Sequence, residues 1–238
     1  MRTQFIESNT RGTANFGWLN ANFSFSFGNY YNSDRMQFGM LRVLNDDTIA
    51  GGTGFGTHGH ANMEIITIPL EGGLEHRDSM GNEGVIRFGE VQVMSAGSGV
   101  EHSEMNASKE ERAKTLQLWI FPSRENATPR YDQKSFDIEN QINTFVNIVS
   151  PNDMNDGNAL WVYQKTFLHL GIFERNTTSN YTVIIPKNGV YLFLIEGEIQ
   201  INNQVLKARD AMGITDFENF EIEIITKSKI LLVEVPMN

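Results

Sequence analysis

The chain has no cysteine among its 238 residues. That excludes a disulfide framework, a thiol nucleophile, and any zinc or iron–sulfur site built on sulfur. Whatever metal it binds must be held by nitrogen and oxygen. It also has no apolar stretch near the roughly 18 residues that a membrane-spanning helix requires. The first residues, MRTQFIESNTRG, lack the apolar core of a secretory signal, so the expectation is a cytoplasmic protein. Positive charge is scarce as well. The chain carries 19 Lys and Arg against 29 Asp and Glu, a net charge of -10. Direct nucleic-acid binding needs a basic footprint, which this composition does not supply; a protein partner is still compatible with it. Histidine is rare too, at five residues, and three of the five fall in two short segments.

What is present points to an all-β protein. The chain is long enough for one large domain or two of about 100–120 residues. Short alternating apolar runs recur, among them Thr115-Leu116-Gln117-Leu118-Trp119-Ile120-Phe121 and Lys229-Ile230-Leu231-Leu232-Val233-Glu234-Val235. Turn signals such as Glu71-Gly72-Gly73, Met80-Gly81-Asn82 and Ile201-Asn202-Asn203 separate them. Many short strands closely spaced mean a sandwich or barrel. Helical periodicity is weak, with one or two turns expected at 108–114. Residues 66–94 and 190–214 share the order strand, Glu-Gly turn, strand, turn, strand, which suggests a duplicated barrel unit. The proline-bearing segment 122–130 separates the halves, giving expected domains at 1–130 and 131–238. The second half has a single histidine, His169, so only the first half is expected to bind metal.

The chemistry lies in His58-Gly59-His60 and His102-Ser103-Glu104. Residues two apart on a β-strand point to the same face. Two such strands face to face aim three imidazoles and a carboxylate at one point. Glu64 is a rival carboxylate, four residues after His60 and on the same face if that strand continues. Glu101 is expected to face away and be solvated. His76 reads as a hairpin residue and His169 as a core or interface histidine. Phe23, Phe25 and Phe27 read as core packing at strand spacing; Phe38 and Phe55 are candidates for a pocket wall.

These residues resemble the pirin family, a branch of the cupins. Gly52, then His58-Gly59-His60 and Glu64, is similar to the first cupin motif, with Gly72 one place late. Gly89 through Ser95-Ala96-Gly97, then His102 and Asn106, is similar to the second, with Ser95 where many cupins have proline. More specific to pirins are His76-Arg77-Asp78-Ser79-Met80-Gly81-Asn82, the run from Met94 to Glu104, Phe38-Gly39-Met40-Leu41-Arg42-Val43-Leu44-Asn45-Asp46-Asp47, and Pro129-Arg130-Tyr131-Asp132-Gln133-Lys134. The chain departs from the family at Gly59, where proline is common, and in Asn22-Phe23-Ser24-Phe25-Ser26-Phe27, where a common histidine is replaced.

The resemblance implies a bicupin, two antiparallel jelly-roll β-barrels face to face, with one metal in the N-terminal barrel. It implies His58, His60, His102 and Glu104 as ligands, with Glu104 favoured over Glu64. Family members bind iron most often, so Fe(II) is the first expectation for the one divalent first-row ion; the donor set also suits Mn, Ni, Cu or Zn. Some members cleave the flavonol quercetin with O2, and others regulate transcription by binding proteins. The expected function is therefore a quercetin 2,3-dioxygenase-like oxygenase acting on a small aromatic substrate, with Glu104 as the base for a substrate hydroxyl. The alternative is a non-enzymatic metal- and redox-dependent regulator of a protein partner.

Overall fold

The computed structural model describes residues 1–238. Every regular element is a strand except one turn of 3-10 helix at Ser8–Thr10. The strands form two units of the same design, each a seven-stranded sheet over a four-stranded one. The sheets curl towards barrels without closing. In the N-terminal unit the small sheet runs Gly54–His60, Val100–Asn106, Gly73–Asp78, Glu83–Arg87. The C-terminal small sheet has the same order: Thr177–Thr182, Asn219–Ile224, Glu198–Ile201, Gln204–Lys207. The pairings are antiparallel apart from Thr144–Pro151 with Leu160–Val162. This is the face-to-face bicupin architecture that the alternating runs and the resemblance imply. The two alike segments correspond strand for strand, and each turns at a glycine in the left-handed region, Gly72 (φ 71°) and Gly197 (φ 94°).

The large sheets face each other. One buried cluster joins Leu44, Ile66, Leu116 and Leu118 of the first to Leu168, Phe193, Leu231 and Val233 of the second. Their strands are therefore covered on both sides, by this shared core and by the interior of their own barrel. That explains runs such as Ile65-Ile66 and Leu231-Leu232-Val233, which are buried without alternation. Burying a Leu or Val this fully contributes about 1.5–3 kcal/mol each, so the shared face is a main source of stability.

The chain crosses between units twice. Arg2–Ile6 adds an edge strand to the C-terminal large sheet beside Ala211–Thr215. Arg130–Ser135 adds one to the N-terminal large sheet beside Glu90–Ser95. The helix expected at 108–114 is absent. The Oγ of Ser108 instead accepts from the backbone N–H of Glu110 and Glu111, forming a turn before the strand Ala113–Ile120 begins. Such side-chain-to-backbone bonds compete with helix formation. No helix is long and apolar enough to cross a membrane.

Candidate metal centre

The histidine pairs lie on adjacent antiparallel strands of the N-terminal small sheet, with His102 opposite His58. Each i, i+2 pair points to one face as the strand period requires. The imidazole rings of His58, His60 and His102 have centroids 4.4–4.9 Å apart. Their nearest nitrogens all lie within 4.8 Å of one another. Gly54 makes the close strand approach possible, since a side chain there would begin 2.3 Å from the Glu104 carbonyl oxygen.

Glu104 is on the same strand, shifted by a bulge between His102 and Glu104. Its carboxylate is buried, accepting from Gln117 Nε2 at 2.6 Å and from Thr67 Oγ1 at 3.3 Å. Trp119 Nε1 donates in turn to Gln117 Oε1 at 3.1 Å, and the Trp119 ring packs edge-on against His60. A relay of Trp119, Gln117 and Glu104 thus fixes the carboxylate, in the manner that outer partners orient metal ligands. Glu104 and His102 also share a second close cluster with His76.

The electrostatics suit a cation. Burial pulls His60 down to about 4, aided by neighbouring His58. Burial pulls His102 down to about 3, aided by His58, His60 and His76. The rings are therefore neutral at physiological pH, the form that ligates metal. Burial pushes Glu104 up, opposed by the hydrogen bond from Gln117. His58 Nδ1 donates to the Gly56 carbonyl at 2.8 Å, which leaves Nε2 free. Both ring nitrogens of His102 are buried with no hydrogen-bond partner. Orphaned buried nitrogens carry a substantial desolvation cost, and a metal ion would remove it. The residues present fit the group.

Glu64 is elsewhere. The strand bearing His60 ends there, and Asn62 takes a left-handed φ of 51° before Glu64–Glu71 begins. Side-chain parity is lost across that break. Glu64 accepts from Ser95 Oγ at 2.6 Å, away from the histidines. Glu101 is exposed, as expected. His169 is buried, its ring beside Phe167 and Tyr181. The hairpin reading of His76 omitted its burial: it stands opposite Glu104 in register, fully buried, with Nε2 3.2 Å from Asp78. Gln117, Thr67 and Trp119 were also missed; for Gln117 and Trp119 the signal was the alternation Thr115, Gln117, Trp119 along one strand, and for Thr67 there was none.

Beside the cluster opens a cavity of about 850 Å3 walled by Trp18, Phe23, Phe27, Phe55 and Trp119, with His58 and Glu104 also in its lining. The phenylalanine series divides. The strand Leu19–Phe23 ends at Phe23; Phe23 and Phe27 face this cavity, while Phe25 packs on Tyr191 in the shared core. Phe55 lines the cavity as expected, whereas Phe38 lies in the shared core.

The chain matches the family model for Pirin over residues 5–120 and that for the quercetinase C-terminal cupin domain over 147–235. It is 40% identical over 230 residues to a quercetin 2,3-dioxygenase of Escherichia coli (strain K12), covering 97% of each chain. It is 36% identical to a pirin-like protein of Caulobacter vibrioides, covering 94% of this chain and 95% of that one. The crystal structure of YhhW from Escherichia coli superposes with a TM-score of 0.93 at 39% identity, covering 99% of this chain and 98% of that one. The structure of the bacterial pirin YhhW in complex with nickel(II), also from Escherichia coli, gives 0.92 at 39% identity, covering 99% of both. With both halves matched and the bicupin fold in place, the chain belongs to the pirin family.

Proposed function

We propose that this protein is a metal-dependent dioxygenase that takes a hydroxylated aromatic such as a flavonol and O2. The observation that carries this is the unpartnered nitrogens of His102 in a three-histidine cluster whose His58, with Glu104, lines an aromatic-walled cavity. His58, His60, His102 and Glu104 are the residues that would hold one divalent first-row ion. We take iron(II) as the first choice; the nickel(II) complex of a relative supports a divalent ion of this row. Bound there, the ion supplies Lewis acidity towards a substrate oxygen and a site for O2 chemistry.

The chain's own residues do the rest. The aromatic walls accept a planar ring system and exclude water from it. Glu104, raised by burial and held through Gln117, is the base that takes the proton of a substrate hydroxyl. The test is metal content of freshly purified protein, followed by O2 uptake with quercetin and a panel of phenols. Wild type is expected to consume O2 with quercetin. Glu104→Gln, selected for retained metal, is expected to lose about 100-fold or more in turnover, the range of a positioned general base. Wild-type turnover by that variant removes Glu104 from the role. Absence of uptake with every phenol, alongside a partner captured in one redox state only, would favour the regulatory alternative.

A further inference from the structure

The cavity has a second polar feature, remote in sequence from the histidine pairs. The strand Leu41–Ile49 separates the N-terminal barrel interior from the shared core. Leu44 lies in the shared core, and Asp46 faces Arg11 and Arg209 at 3.5 and 3.4 Å. By strand parity Asn45 and Asp47 point the other way, into the barrel, and both line the cavity. They stand opposite Gln117 and Thr115 in register.

Both side chains are almost completely buried, Asn45 at 3% exposure and Asp47 at 5%. The Oδ1 atom of each has no hydrogen-bond partner. Two other buried polar groups near the cavity are satisfied: Asn106 donates to the Ile49 and Glu111 carbonyls, and Glu104 accepts from Gln117 and Thr67, whereas Gln92, His76 Nδ1 and both nitrogens of His102 also lack partners. Two adjacent unsatisfied groups on one wall of a cavity are costly for folding alone. A ligand that supplies the missing partners accounts for them.

We propose that Asn45 and Asp47 form a second anchor in the cavity wall, binding a hydroxyl of the aromatic ligand other than the one that meets the histidine cluster. The inference rests on the reading of the cavity as an aromatic-substrate site and narrows its substrate class. The ligand is not an anion and carries at least two oxygen substituents. The walls disfavour an anion: no lysine or arginine lines the cavity, while Glu104 does. Burial pushes Asp47 up to about 8, with Asp46 and Glu104 adding to it. Its carboxyl then offers both an O–H donor and a carbonyl acceptor, which suits a phenol hydroxyl.

The test is equilibrium binding to the purified protein, read by quenching of tryptophan fluorescence, since Trp18 and Trp119 line the cavity. The probes are naphthalen-2-ol, naphthalene-2,6-diol and 6-hydroxy-2-naphthoic acid. Wild type is expected to bind the diol about fivefold or more tighter than the mono-ol, the return on one net hydrogen bond, and to bind the acid more weakly than the diol. Asp47→Leu is expected to bring the diol-to-mono-ol ratio to about one with no fall in thermal midpoint, because it removes an unsatisfied group and no contact. Asn45→Ala, run in parallel, is expected to move the ratio the same way. A wild-type ratio near one, a ratio preserved in both variants, or no binding of any probe overturns the proposal. Because binding is read without turnover, a protein that discriminates the diol but consumes no O2 fails the dioxygenase reading and supports this one.

Discussion

The two barrels share a strand order and differ in what fills them. In the N-terminal small sheet, the strand Val100–Asn106 turns His102 and Glu104 inward, and Gly73–Asp78 turns His76 inward. The matching C-terminal strands turn in Phe220, Ile222 and Ile224 from one and Ile199 and Ile201 from the other. These belong to a continuous apolar core with Leu192, Leu194 and Leu232. One barrel holds a cavity and polar groups without partners; the small sheet of the other turns in apolar side chains. The same curled sheets support either interior, so the histidine cluster is a property of a few inward positions and not of the fold. The filled barrel and the shared core carry stability that the hollow barrel forgoes.

The sharpest way to break this comparison is to remove the polar interior. His102→Ala should reduce metal content to background in elemental analysis, while the metal-free protein keeps its strand signature by circular dichroism. Retained stoichiometric metal would mean that the cluster is not the binding site. The complementary change, Ile222→Ala in the packed barrel, should cost about 2–5 kcal/mol in denaturant unfolding and leave metal content unchanged below the transition.

A third, intermediate effect concerns His169, the buried histidine of the packed barrel, which burial pulls down to about 4. The unfolded chain binds its proton near 6.5. Its neutral form therefore favours folding above about pH 6.5, and that contribution is lost as the pH falls from 6.5 to 4, up to about 3 kcal/mol. His169→Phe should show a correspondingly smaller loss of stability between pH 7 and pH 4; equal losses would mean that the histidine titrates normally in the fold. The smallest expected effect lies in the relay behind Glu104. Gln117→Leu should weaken metal affinity or turnover about 10–100-fold, as loss of an orienting partner does, with Glu104 and the histidines intact.

Much of the histidine cluster was legible because it rests on strand parity over two residues, the shortest range at which parity holds. Where parity had to cross a break, it misled. Glu64 is four residues after His60 but beyond the left-handed Asn62, and it faces a different part of the molecule. His76 and Gln117 lie on strands of their own, and nothing local in the sequence says that these strands lie beside the histidine pairs. The expected helix at 108–114 failed because serine and asparagine side chains there bond the backbone in a turn. The unsatisfied state of Asn45 and Asp47 is a fact about partners, which no one-dimensional pattern contains.

The edge position of Arg2–Ile6 has a consequence for how the molecule is made. Its only strand partner is Ala211–Thr215, near the other end of the chain. During synthesis at about 5–20 residues per second, the first strand leaves the ribosome about ten to forty seconds before its partner exists. For that interval it is a strand without its partner, and it can pair only once Ala211–Thr215 has been made.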